Sequence, residues 1–415
     1  MDETRRLVGP HSSDHDNLVA TAQTFRARYV FPVSAPPIEN GCVTVVDGRV
    51  DGVSQASPTS TTIDLGDVAL IPAFVNAHTH LEFSELETPL GEPGNSLVDW
   101  IRLVVANRRE QALGAASRAE RVTAAVNRGL VESEQAGVAA IGEIATLPWE
   151  ASTFPQSRVR CRLFYEQIGL PRTRVQQCLD GARQWLTDFV DSPLAVKSLS
   201  PHAPYTVHPE LLAGLCELSK TMRIPLAMHL AESPEELLLL KNGTGPFKEL
   251  LQELDAWDEQ AMPRDSQPLD YLQMLARADR ALVVHGNFLS AAELDYVAGC
   301  GRQMTIAYCP RTFHFFHDAT YPLGEMLGRG IKVAIGTDSR ASNPDLDMLA
   351  EMRFAARQHA EIAPSKILEM ATRNGADALG YDDLGEIAVG KAASFHTVPI
   401  GMRCVDDPHV LLFEN

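Results

Sequence analysis

Basic residues are in deficit in this chain: 36 Lys and Arg face 54 Asp and Glu, a formal net charge of −18 over 415 residues. No run of Lys or Arg is longer than a pair, so a nucleic-acid backbone or an anionic membrane surface would be repelled. Neither nucleic acid nor membrane is expected as a partner. Paired cysteines are also lacking. The seven cysteines, at 42, 161, 178, 216, 300, 309 and 404, contain no CxxC spacing, which argues against a disulfide framework and against a zinc ribbon. Cys161 and Cys309 sit in apolar, strand-like runs and read as buried free thiols. No apolar run approaches the length of a membrane span, and the polar stretch Met1–Asp16 lacks the hydrophobic segment of a secretory signal. A reducing, cytoplasmic setting is the expectation. Internal repeats and low-complexity tracts are missing as well.

What is present is an ordinary folded-protein composition, 45% hydrophobic and 22% charged, too apolar for a disordered chain. The length suits two or three ordinary domains, or one large barrel with a smaller module. Residues 1–19 read as a flexible N-terminal tail. From Thr24 to Val53 short Val-rich pieces flank an Asp47-Gly48 turn, the signature of a hairpin. Eight near-continuous apolar runs follow: Val68–Ala77, Gly137–Ala145, Arg160–Ile168, Leu194–Ser200, Ile224–His229, Ala281–His285, Met304–Tyr308 and Lys332–Gly336. Strands buried on both faces look like this, and amphipathic stretches such as Ser117–Gln135 and Pro209–Thr221 separate them. The expected fold is α/β, a (β/α)₈ TIM-type barrel with a small discontinuous β-sandwich domain. Residues 20–72 would form the first part of the sandwich, 73–381 the barrel and 382–415 the second part. The connection 233–279 is too long for an ordinary barrel loop and reads as either a lid or an inert helical insertion.

Chemistry is concentrated at strand ends. His78 and His80 close the first barrel strand in "VNAHTH"; two residues apart on a strand, their side chains share one side. An HxH pair alone is a weak signal. His229 in "PLAMHLAES", His285 in "LVVHGN" and Asp338 in "VAIGTDS" join it, each ending a later strand. The C-terminal ends of barrel strands open on one face, and buried polar groups need partners. A shared metal ion would partner all five. Glu232, three residues after His229, is the candidate proton carrier, because a carboxyl in a partly dry site has a raised pKa. Ser233-Pro234-Glu235-Glu236 reads as a helix N-cap and first turn, which leaves Glu235 and Glu236 outside the site.

These residues lie in motifs that resemble the amidohydrolase superfamily over nearly the whole chain from about Thr24: "PAFVNAHTHLE", "SPHAPYT", "MHLAES", "VVHGN", "CPRT" and "GTDSRASNPDLDML". The branch resembled is that of the cytosine, guanine and adenosylhomocysteine deaminases and the triazine chlorohydrolases, with "HTHLEFS" and "YCPRT" most similar to aminodeoxyfutalosine deaminases. The resemblance implies one divalent metal held by His78, His80, His229 and Asp338. Zinc is the first choice for three nitrogens and an oxygen, with iron and manganese as alternatives. It further implies that Glu232, His285 and Asp338 are catalytic: Glu232 protonates a ring nitrogen of the substrate, His285 assists proton transfer and Asp338 takes a proton from a metal-activated water. His202 would line the substrate pocket. The expected reaction is hydrolytic deamination of an aminated purine-like nucleoside or related small heterocycle. Triazine-type dechlorination, other C–N hydrolysis and a non-catalytic barrel are the alternatives.

Several further readings stay open. Arg311 could bind a carboxylate or sugar oxygen, or pair with an acid of the protein. Trp100, Phe83 and Phe313 could stack on a planar ring or fill the core. Lys197, near the fourth strand, is read as structural. In "CPRTFHFF", Phe313 stands where relatives more often carry His, which leaves the parts of His314 and His317 undecided. Ser394 stands where relatives usually have Asp, in the small sheet. A homodimer is the assembly to test first, as the commonest oligomer.

Overall fold

The computed structural model describes residues 6–8, 22–55, 62–113, 117–146, 149, 157–262 and 265–414. Eight parallel strands stand side by side in chain order: Phe74–Thr79, Val138–Ala145, Arg160–Gln167, Ala195–Pro201, Pro225–Leu230, Arg280–His285, Met304–Tyr308 and Lys332–Ile335. Helices such as Arg118–Gln135, Val175–Asp188, Pro209–Met222 and Ala291–Cys300 connect them. This is the TIM-type barrel that the alternation of apolar runs and amphipathic stretches predicts.

The apolar run Val68–Ala77 divides into two elements. Val68–Pro72 belongs to a small sheet, pairing antiparallel with Ser394–Pro399, while Phe74–Thr79 is the first barrel strand. Pro72 has no N–H to carry a ladder onward, and the Ala73 N–H turns to the Ser394 carbonyl at 3.0 Å. Hydropathy hides this division because both pieces are buried. Asp47 and Gly48, both at positive φ (48° and 72°), join Cys42–Val46 to Arg49–Ser54 in an antiparallel hairpin. That conformation is the one an Asp-Gly turn favours. Within the stretch expected to be a tail, Arg6–Val8 pairs antiparallel with Ser394–His396; the rest of 1–19 lies outside the described residues.

One end of the barrel is sealed. Helix Arg373–Leu379 packs Ala376, Ala378 and Leu379 against Val75, Ala139, Leu282 and Ala334. Arg162, Arg280 and Lys332, from the beginnings of three strands, bind the Leu379 carbonyl, the Asp377 carbonyl and the Asp377 carboxylate. Cations at a helix C-terminus complement its dipole. The opposite mouth, where the strands end, therefore remains for function.

At that mouth the first and eighth strands come very close. The Asp338 N–H donates to the His78 carbonyl at 3.0 Å, and the Asn76 amide donates to Thr337 Oγ1 at 2.8 Å while accepting from the Thr337 N–H at 3.1 Å. A Cβ on Gly336 would stand 2.9–3.0 Å from His78 backbone and Cβ atoms. Glycine is required there by the approach itself. Gly336→Ala should cost about 1–3 kcal/mol, as overpacking does, and lower both the melting temperature and the metal content. A wild-type melting curve for this variant would show that the seam is not tight.

Candidate active site

The ends of the first, fifth, sixth and eighth strands bring His78, His80, His229, His285 and Asp338 together. His80 Nε2 and His229 Nε2 are 3.3 Å apart, and Asp338 Oδ1 lies 3.7 Å from His78 Nε2 and 3.8 Å from His80 Nε2. Two sets of donor atoms, His78–His229–His285 and His78–His80–Asp338, each lie within 4.8 Å of one another. Tetrahedral ligands about 2.0–2.1 Å from a metal stand about 3.3–3.4 Å apart, so the spacing is close to that of a binding site.

His78 makes the strongest case. It is fully buried, and among the described residues neither ring nitrogen has a hydrogen-bond partner. A polar ring left dry and unpaired is costly; a metal would remove that cost. The state of the ligands also fits. Burial lowers the pKa of His78, His80 and His229, which keeps their imidazoles neutral. His229 Nδ1 donates to the His202 carbonyl at 3.0 Å, leaving the Nε2 lone pair free to ligate. The residues present suit a divalent metal.

Backbone strain marks the same spot. Ala231, His285 and Asp338 all adopt positive φ, at 53°, 69° and 57°, where side chains other than glycine are seldom found. Tyr321 holds the His285 carbonyl at 2.8 Å, and Thr79 and Thr337 hold the Asp338 carbonyl at 2.9 and 3.0 Å. These side-chain bonds pin strand ends that would otherwise relax.

Glu232 is buried beside this cluster, its Oε1 3.4 Å from His285 Nε2. Burial above all, with smaller contributions from Asp338 and Glu236, drives its pKa well above the usual carboxylate range. Its backbone is fixed on both sides. Glu236 accepts the Ala231 and Glu232 N–H groups, each at 2.9 Å, and the Asn287 amide donates to the Glu232 carbonyl at 2.9 Å. Glu236 does start the Ser233-capped helix, as the sequence suggests, and it also sets the turn that carries Glu232.

A cavity of about 240 Å³ opens over these groups, reached by His80, His202, His229, Glu232, His285 and Asp338. Helix Leu97–Gln111 supplies Trp100, Ile101 and Val104 to its wall, and the 233–279 connection supplies Leu250, Leu251, Leu254 and Ala256. That connection is helical, and Arg102 clamps Glu253 with two bonds of 3.0 and 2.9 Å, joining the two walls. Trp100 is held by its Nε1–H on the Ala341 carbonyl at 2.9 Å. Phe83 also lines the cavity.

Other expected residues go elsewhere. Arg311 does not line the cavity; its guanidinium is occupied by Glu351 and Asp345, both at 2.6 Å. Glu351 is fully buried, and an uncompensated charge there would be far costlier than a substrate contact is worth. "CPRTFHFF" forms a helix, Pro310–Phe316, rather than extended chain. Phe313 is buried against Tyr308 and Tyr321, His314 packs on Phe354, and His317 packs on Phe288 and Phe313. Lys197 Nζ donates to the Phe189 carbonyl at 2.8 Å, a structural bond.

Two carboxylates escaped the sequence reading. Glu143, on the second strand and fully buried, accepts the Leu81 N–H with both oxygens at 3.0 Å and so shapes the turn after His80. Glu166, on the third strand, lines the cavity. Both are acids near the ends of apolar runs, "AAIGEIA" and "RLFYEQ", the same signal that identified the histidines.

The Amidohydrolase family model matches residues 69–407. The chain belongs to that family. It is 28% identical over 373 residues to a 5-methylthioadenosine/S-adenosylhomocysteine deaminase of Nitratidesulfovibrio vulgaris, covering 85% of this chain and 78% of the relative. Among solved structures it resembles the aminofutalosine deaminase of Helicobacter pylori in complex with methylthio-coformycin (TM-score 0.80, 24% identity, 94% of this chain and 95% of that one). It also resembles an adenosine deaminase of Xanthomonas campestris with bound zinc (TM-score 0.75, 24% identity, 94% and 88%). Family membership and the clustered metal-binding side chains together support a metal-dependent hydrolase of the deaminase type. No helix among the described residues is long and apolar enough to cross a membrane.

If the four ligands of this amidohydrolase are His78, His80, His229 and Asp338, His78→Ala and Asp338→Ala should each lower bound metal and abolish activity. His202→Ala should retain metal and lose substrate affinity instead. Metal analysis beside KM checks both, and wild-type stoichiometry in the first two variants would remove them from the ligand set.

Proposed function

We propose that this amidohydrolase removes an amino group hydrolytically from a purine-like nucleoside or related heterocycle, with zinc as its metal. Three imidazole nitrogens and one carboxylate oxygen favour zinc, and the zinc-bound Xanthomonas relative supports the choice. The bound metal would supply the Lewis acidity that makes water a nucleophile near neutral pH.

The observation that carries the reading is Glu232: a buried acid whose pKa is driven well above the usual carboxylate range by burial, 3.4 Å from His285 and on the wall of a largely apolar cavity. Attack on an amine-bearing ring carbon requires that carbon to be more electrophilic. Glu232 achieves this by giving its proton to the adjacent ring nitrogen. Asp338 takes the proton released by water, and His285, kept neutral by burial, relays protons between them. The amino group takes the proton held by Asp338 and leaves as ammonia, while the remaining proton of the attacking oxygen returns to Glu232. His202 orients the ring, and Trp100 with Leu250 and Leu251 excludes water from it.

Glu232→Gln tests the assignment, because Gln keeps the size and hydrogen bonding of Glu but cannot deliver the proton. Metal content should be unchanged and ammonia release should fall by roughly 10²–10⁴-fold. Near-normal turnover with full metal would end the acid–base role. Screening aminated purines, nucleosides, pterins and chlorotriazines for ammonia against chloride release separates deamination from dechlorination.

A further inference from the structure

Among the described residues, the buried carboxylate side chains outside the acid–base machinery are, with one exception, satisfied from within. Glu143 accepts the Leu81 N–H, Glu236 accepts two N–H groups, Glu293 accepts those of Leu269 and Ser290, and Glu351 holds Arg311. Glu166 differs. Its side chain is 7% exposed, faces the cavity and, among the described residues, accepts no hydrogen bond; His202 Nε2 stands 4.0 Å from its Oε1. Arg108 is close enough to be felt, but its guanidinium is bound to Glu82 at 2.6 Å and lies over the Phe83 ring. Folding alone gives no reason to retain such a group.

His202 adds a second acceptor. The Thr206 hydroxyl donates to the Ala203 carbonyl at 3.2 Å, so its oxygen accepts from His202 Nδ1 at 2.7 Å. The neutral ring then presents a bare Nε2 toward Glu166. The His202 and His229 ring centroids are 5.2 Å apart, so the two acceptors stand about one ring away from the metal ligands. A heterocycle over the metal would extend its edge or its substituent directly to them.

We propose that Glu166, with His202 Nε2, forms a donor-reading subsite that selects heterocycles carrying adjacent hydrogen-bond donors beside the reacting ring. This rests on the deaminase reading above. Two sources offer that chemistry: the vicinal hydroxyls of a sugar, or neighbouring N–H groups on the ring itself. Rejection of analogues without the donors follows from the cost of burying Glu166 unpaired in the complex. Burial pushes the Glu166 carboxyl up to about 7, with Arg108 opposing; an incoming donor relieves the same desolvation.

The test uses the zinc-loaded full chain and two substrate pairs: adenosine against 2′,3′-dideoxyadenosine, and 2,6-diaminopurine against adenine. In the wild type, kcat/KM should favour the donor-bearing member of one pair by about 10- to 10²-fold, the worth of a hydrogen bond to a charged group. The pair that discriminates identifies the source. Glu166→Ala should abolish the preference, lowering kcat/KM for the donor-bearing member and raising it for the donor-poor one, while Glu166→Gln, which keeps one acceptor oxygen, should restore part of it. The unliganded melting temperature of either variant should not fall, as it would for a structural carboxylate. Equal losses on both members of each pair, or a wild type that prefers neither donor, would overturn the proposal. Absence of ammonia from all four compounds would instead count against the deaminase reading. The ligand-induced rise in melting temperature, compared across the same pairs and variants, would then still decide the role of Glu166.

Discussion

A buried imidazole must find a partner for its ring nitrogens, and His78 finds no hydrogen-bond partner among the described residues. Much of the barrel mouth is organised around that unmet demand. The neighbouring imidazoles of His80 and His229 and the Asp338 carboxylate converge on it from three strands. Convergence in turn requires the first and eighth strands to approach so closely that residue 336 has no room for a side chain. It also requires the strand ends to bend, and the positive φ values of Ala231, His285 and Asp338 are where that strain is held. Each bend is secured by a bond from elsewhere, such as that of Tyr321 to His285.

The same dryness sets the charges. Burial lowers the pKa of the histidines, so they remain neutral ligands, and raises that of Glu232, which favours its protonated form. One physical cause therefore prepares opposite protonation states a few ångströms apart. The walls that maintain it are apolar side chains from helix Leu97–Gln111 and from the 233–279 connection, joined by Arg102 and Glu253. The long connection is thus part of the cavity, with Leu250, Leu251 and Leu254 in its wall.

Charged residues near the mouth divide by what the fold asks of them. Arg311 neutralises Glu351, and the Asn343 amide, bonded to the same carboxylate, also donates to the Thr337 carbonyl at 2.6 Å. Its effect on the site is indirect, through the loop that carries Asp338. His317 packs among Phe288, Phe313 and Phe316 and does not line the cavity. Glu166 has no such internal task.

Strand-end polarity was readable from the chain alone. A histidine or aspartate closing an apolar run has few structural uses, and the barrel rule places all such residues on one face; that is why His78, His80, His229, His285 and Asp338 were legible together. The rhythm of runs and amphipathic stretches likewise determined the eight-stranded barrel, and Asp47-Gly48 determined the hairpin. Side-chain partnership was not readable in this way. Whether Arg311 meets a substrate or Glu351 depends on helix Met348–Gln358, some forty positions away, folding back beside it. The division of Val68–Ala77 was hidden because burial on both sides makes two strands of different sheets look like one. Glu143 and Glu166 carried the right signal, but their roles differ only because one meets the Leu81 N–H and the other open cavity. Local pattern reports which residues are buried; what each buried group faces is a long-range property, decided only when distant segments pack.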